Sequence, residues 1–590
     1  MADSEQPAAV IPPAERTLLT SFRLASAVFF ALSAMALAIH ETPAMLRGLT
    51  VLTRGFAGRH DIPVAVLAIL FFVQLASRGR IVDKPAQAAA PPLGLTARQT
   101  IALLVGMAAL IWVLRTQVLF DYDLSRDEKM VTFDAPIFAH GHLFWPIPPF
   151  WRGWYDALNS IFIMPVGDKD GWVSGYLPMN AALRALLSQV LPWNGISPLL
   201  VLAGGLALWR ITLRLWPASP STRAVVLILF AGSSQVIVIG TTVYAMTAHM
   251  AFNLIWLWLF LQRRPAAHAG AIGLGFLATG LHQPLFHPLF VAPFLDLLRR
   301  EKRWKELAAY VICYGAIGLF WAKYPGWVSA MAGHPVPAAL NIDGISYIDR
   351  LTRNATRFTD VSLWIMGANV LRFVAWQHLL LVPLAIVALR TRQWADPVCR
   401  ALLLGIVMLI AIMTVILPPQ GHGWGYRYLH GFIGSAVLIA GFGWHWLEQR
   451  GIAPVRAMRW ATALSMLVLL PAHVWMARHF TAPFAAASAR IERIPADVVI
   501  VDTEQVSFSP DLVRNRADLS NRPILLDNAL VPAEALPALC AGRSLGFADA
   551  PLFASIDTLF GVAPATAPGE RQRQLQDAAV AAGCRIVPVP

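Results

Sequence analysis

Charge is what this chain has least of. Asp, Glu, Lys and Arg make up only 14% of its 590 residues, where a soluble protein carries roughly a quarter. That little charge cannot wet the surface of a soluble globule of this length, and the high apolar content equally excludes a disordered chain. Cysteine is nearly absent, at four residues, which excludes a disulfide-built scaffold. There is no glycine-rich phosphate fingerprint, internal repeat or low-complexity tract. What remains is apolar: 57% hydrophobic residues, with 21 Trp and 30 Phe. The composition is that of an integral membrane protein. The formal net charge of +13 fits basic loops that set membrane orientation, and no nucleic-acid partner is expected.

A membrane helix needs about 20 mostly apolar residues. Thirteen segments qualify: 22–40, 62–77, 99–115, 196–213, 223–241, 243–262, 266–281, 284–298, 306–323, 377–391, 399–417, 429–447 and 460–478. Residues 1–21 read as a cytoplasmic tail and 22–479 as the membrane domain. Lys and Arg gather in alternate short loops, which predicts a cytoplasmic N-terminus; loop 41–61, with Arg47, Arg54 and Arg59, departs from the pattern. Segment 361–376 is expected to lie at the interface, because Arg372 would be costly at mid-bilayer. Residues 85–97 read as a linker. With this topology, loops 116–195 and 418–428 and the segment 480–590 share the extracytoplasmic side.

The chain changes character after 480. DVVIVD (497–502), RPILLD (522–527), SLGFAD (544–549) and CRIVPVP (584–590) read as short strands, and 533–540 and 569–582 as helices. The fold class expected is therefore an all-α polytopic membrane domain followed by a small α/β domain. Asp502, Asp527 and Asp549 at the strand ends read as turn and helix caps. In an oxidising compartment Cys540 and Cys584 could pair.

Loop 116–195 is too long and too aromatic to be a mere connection. Asp121, Asp123, Asp127, Glu128 and Asp134 fall within fourteen positions. A solvated acidic loop end would look the same, but a stretch rich in rings and Pro follows, as suits the headgroup layer. Next, Leu177, Ala181, Ala182, Leu186, Leu187 and Val190 mark the apolar face of a helix, with Arg184 opposite. His282, His287, His249 and Asn253 lie within or beside spans. His282 and His287 are candidates for lining a cavity, whereas His249 and Asn253 read as interhelical hydrogen-bonding groups. The spacing of His282 and His287 around Pro284 is poor for a metal.

The order Asp127-Glu128, then Gly141-His142-Leu143 and a Pro-rich stretch, then Trp172-Val173-Ser174-Gly175-Tyr176-Leu177-Pro178, resembles the GT-C membrane glycosyltransferases, in the bacterial branch of protein O-mannosyltransferases and lipid A aminoarabinose transferases. The resemblance implies transfer of a sugar from a polyprenyl-phosphate donor, on the extracytoplasmic face of the bacterial inner membrane, to an acceptor lipid, glycan or protein, with inversion. It implies Asp127 as general base and Glu128 as its partner, with Asp134 and Tyr176 in the substrate cavity. Lys129 and Met130 depart from the commoner pattern, so which carboxylate acts stays open. In PPQGHGWGYRY (418–428) the glycines predict a tight bend. Arg427 would hold the donor phosphate with His422 assisting, and Lys169 and Arg152 are secondary candidates. No cofactor is expected, and a divalent metal is left open. The alternative is a transporter or flippase of a lipid-linked sugar.

Overall fold

The computed structural model describes residues 12–39, 47–77, 93–158, 162–331, 358 and 360–589. Helices occupy all thirteen apolar segments. Seven of them are long and apolar enough to cross a membrane: Pro13–Leu37, Val51–Ser77, Ala97–Leu119, Trp193–Leu215, Trp304–Ala330, Pro397–Ile416 and Val455–Glu492. Pro220–Ala231 and Ser234–Gly240 make an eighth if counted together, although they bend by 50° where Ser233 starts a new helix by accepting a hydrogen bond from Val236 N–H. Ala245–Leu261 and Leu381–Arg390 are apolar but shorter.

Local chemistry sets several of these boundaries. Thr96 and Gln99 form a capping box ahead of Ala97–Leu119, and Asp396 caps Pro397–Ile416 through Val398 and Cys399 N–H. The first helix starts at Pro13, so it takes in residues 13–21 of the segment expected as a tail. The linker expected at 85–97 lies mostly outside the described residues. Helix Asp360–Ala375 packs against Pro13–Leu37. Its Arg372, expected to avoid the apolar interior, is buried over the Phe56 ring and donates to the Gly423 carbonyl.

The loop after Leu119 contains the helix Arg126–Ala139, called here the acidic helix, and a small antiparallel sheet. That sheet has β1 (Trp145–Pro146), β2 (Ile163–Val166) and β3 (Gly171–Ser174) in the order β1-β3-β2. These strands are absent from the sequence expectations for loop 116–195. In the following helix Met179–Leu187, Arg184 does not lie opposite the whole expected apolar face but is buried beside Ala181, one of its members. Asn180, Ala181, Arg184 and Ala185 are buried, while Leu186 is 69% exposed and Val190 80%. Arg184 can turn inward because Ser197 and Asn180 accept its hydrogen bonds, the former at 2.8 Å.

The C-terminal domain is a parallel sheet of β4 (Val498–Val501), β5 (Ile524–Asp527), β6 (Ser544–Ala548) and β7 (Arg585–Ile586), in the order β5-β4-β6-β7. The four predicted strands and both predicted helices are present. A disulfide joins Cys540 to Cys584, with Cα atoms 5.5 Å apart. Helix Val455–Glu492 has 38 residues, or roughly 57 Å at 1.5 Å per residue. That exceeds the ~30 Å apolar core of a bilayer, and its last turns pack against the C-terminal domain.

Candidate functional site

The acidic helix begins at Ser125. Its hydroxyl accepts Glu128 N–H at 3.2 Å, and the Glu128 carboxylate accepts Ser125 N–H at 3.3 Å. This reciprocal cap fixes the first turn. Glu128 also faces Val243 N–H at 3.4 Å. Burial, followed by the nearby Asp123 charge, pushes its carboxyl up to about 7. Glu128 thus serves the cap and lines none of the cavities described below.

Asp127 points the other way. One carboxylate oxygen accepts the Tyr176 hydroxyl at 2.5 Å, and the other accepts the guanidinium of Arg427. Burial alone would raise its pKa, but the Arg427 charge, His282 and the two hydrogen bonds outweigh burial and hold it down to about 2. Arg427 is 3% exposed, and its guanidinium lies 4.7 Å from the Tyr244 ring centre. The loop before it is folded for this placement. Gln420 accepts Arg427 N–H at 2.9 Å and donates to the Gly425 carbonyl at 2.8 Å. Gly425 sits at φ +62°, a conformation that favours glycine.

Asp134 stands two turns further along the acidic helix on the same face. It is 2% exposed and takes two hydrogen bonds from Ser174, from the backbone N–H at 2.9 Å and from the hydroxyl at 2.5 Å. Burial pushes its carboxyl up to about 7 against the pull of those bonds. No cation pairs with it among the described residues. Asp127, Asp134, Ser174, Tyr176, Asn180, Tyr244 and His282 share one cleft of about 330 Å³. Arg427 lines a second cavity of about 250 Å³ with His249, Asn253, Phe286 and Tyr428, and Met246 borders both.

The other expected residues divide. His282 lines the cleft with its ring 4.4 Å from that of Tyr176, and both of its nitrogens lack a partner. His287 lies apart, bridging Asn253 at 2.7 Å and the Tyr314 hydroxyl at 2.9 Å. His249, expected to bond between helices, has no partner on either nitrogen. Lys169 pairs with Asp156 at 3.0 Å and Arg152 with Asp170 at 2.5 Å, neither of them in the cleft. The His422 ring packs among Phe480, Phe484 and Phe508, and its carbonyl accepts the Tyr244 hydroxyl at 2.9 Å. A lone Tyr at the start of the apolar segment 243–262 carries no signal, and Tyr244 is absent from the sequence expectations. Among the described residues no group of three His, Cys, Asp or Glu could hold a metal ion.

One segment of the C-terminal domain touches the elements that carry this site, next to the cleft residues themselves. Asp511 pairs with Arg126, the Val513 carbonyl accepts from Lys129, and Arg514 donates to the Asp123 carbonyl at 2.5 Å. Trp172, on β3, donates to the Ala517 carbonyl at 2.8 Å, and Phe508 packs on His422 with ring centres 4.7 Å apart.

No protein-family model matches the chain, and no curated protein does. Among solved structures the fold is similar to that of ArnT from Cupriavidus metallidurans bound to undecaprenyl phosphate. The identity is 12% and the TM-score 0.45, covering 72% of this chain and 86% of that one. For the apo state of the same protein the identity is 13% and the TM-score 0.40, covering 71% and 85%.

Proposed function

We propose that this protein is a membrane glycosyltransferase that moves a sugar from a polyprenyl-phosphate donor to an acceptor hydroxyl. The observation that carries this reading is the Asp127–Arg427 pair at the junction of two cavities. A planar guanidinium matches a phosphate with two parallel donors, and burial strengthens that attraction. The donor phosphate takes Arg427 from the 250 Å³ cavity, and the acceptor occupies the cleft with the carboxylates. Arg427 then stabilises the phosphate as it leaves with the electron pair of the sugar–oxygen bond. The basic loops support thirteen spans, with this site and the C-terminal domain on the extracytoplasmic side. The resemblance gives the base role to Asp127. In the structure that carboxylate is the counter-ion of Arg427, while Asp134 carries no cation. A flippase would need a cationic site near the bilayer midplane, whereas Asp127 follows one helix end and Arg427 precedes another.

The test is transfer from undecaprenyl-phosphate-linked hexoses and pentoses by purified protein in liposomes. Arg427→Ala should raise the donor KM at least tenfold. An unchanged donor KM removes Arg427 from the phosphate site, and movement of the lipid across the bilayer without turnover favours the flippase.

A further inference from the structure

The cleft holds two carboxylates on one face of one helix, and their surroundings differ. Both oxygens of Asp127 are engaged, one by a guanidinium. Both oxygens of Asp134 accept only from Ser174, whose hydroxyl could equally turn to an incoming group. Seven residues of helix separate the two by roughly 10 Å of rise. In an in-line displacement, base and leaving group lie on opposite sides of the anomeric carbon. A base in direct contact with the cation that holds the leaving phosphate stands on the wrong side. A base two turns away is clear of that cation.

Resting on the transferase reading above, we propose that Asp134 is the catalytic residue that takes the acceptor's proton, and that Asp127 is the positioning residue that holds Arg427. The acceptor oxygen bonds to the anomeric carbon as its proton passes to Asp134. The bond from that carbon to the phosphate oxygen breaks, and the phosphate departs with the electron pair against Arg427. The raised carboxyl of Asp134 suits a base working near neutral pH, and the depressed one of Asp127 does not. The ionisable groups facing Asp134 are Asp127, Tyr176, Tyr244 and His282 across the cleft and Tyr324 from helix Trp304–Ala330.

The experiment measures release of undecaprenyl phosphate from undecaprenyl-phosphate-linked glucose, mannose and arabinose, with a panel of alkyl glycoside acceptors, across pH 5–9. Asp134→Asn can keep both contacts to Ser174. It should lower kcat about 100-fold or more with donor KM within twofold, whereas Asp127→Asn should act mainly on donor KM. The wild-type rate should rise with pH on a limb near 7 that persists in His282→Gln. In Ser174→Ala that limb should move upward, because a donor to the ionised carboxylate is lost. Binding of undecaprenyl phosphate by Asp134→Asn reports that the variant is folded. Turnover by the wild type that Asp134→Asn retains overturns this inference alone, as does a limb abolished by His282→Gln. No turnover by the wild type across the panel overturns the transferase reading and this inference with it.

Discussion

Asp134→Asn should make the protein more stable while disabling it. The carboxyl titrates near 3.8 in the unfolded chain and near 7 in the folded one. A group whose folded value is raised binds its proton more tightly in the native state. Its favourable contribution is therefore complete below about pH 4 and declines as pH rises, until it is gone above about 7. Three units at 1.36 kcal/mol each amount to about 4 kcal/mol of native-state penalty at pH 8. Asparagine cannot ionise, so the variant escapes that penalty if both Ser174 contacts persist. The assay is thermal unfolding of both proteins in the same detergent at pH 5, 6, 7 and 8. The gap between them should be smallest at pH 5 and widen toward pH 8 in favour of the variant. A variant that melts at or below the wild type at pH 8 refutes the reasoning.

Asp127→Asn should do the opposite. It leaves Arg427 buried without its counter-ion, which costs about 3–5 kcal/mol, and the double change Asp127→Asn with Arg427→Met should recover most of the lost melting temperature. Phe508→Ala should lower kcat severalfold through the His422 loop, with the C-terminal domain still folded by its own proteolysis pattern; unchanged kinetics would make that contact inert. In unreduced membranes, Cys540 and Cys584 should resist maleimide labelling and become reactive after dithiothreitol, and labelling before reduction would place the C-terminal domain in a reducing compartment. Arg126→Ala should shift turnover more than Arg152→Ala, because only Arg126 joins the acidic helix to Asp511.

Much of the architecture was legible because apolar runs and short strand cores announce themselves. The four strands from Val498 to Ile586 were found from brief apolar runs ended by polar residues. β1 to β3, set among rings and prolines in loop 116–195, were not. Arg184 was misplaced for a related reason: periodicity counts apolar side chains and cannot see that Ser197, thirteen residues on, supplies a buried acceptor. In the site, topology leads one to expect Asp127 and Arg427 to face each other across a crevice, and the fold brings them into direct contact across 300 residues. Glu128 looked like a second reacting carboxylate because a capping glutamate and a catalytic one are the same letter. The spacing Ser125-x-x-Glu128 is the sequence signature of a capping box, and the distances to Ser125 bear it out. His287 and Lys169 were chosen as ionisable groups near the right surface, but hydrogen-bonding and ion-pair partners nearby claim them.

The ties from residues 508–517 to the acidic helix, β3 and the Arg427 loop have a bearing on biogenesis. Arg126 emerges from the ribosome 385 residues before its partner Asp511. At a synthesis rate of 5–20 residues per second that delay is roughly 20–80 s. During that interval the acidic helix has been made but lacks the contact that ties it to the C-terminal domain. A chain released early, before Phe508, has every described helix of the bundle but lacks these ties, which arrive with the last seventh of the polypeptide.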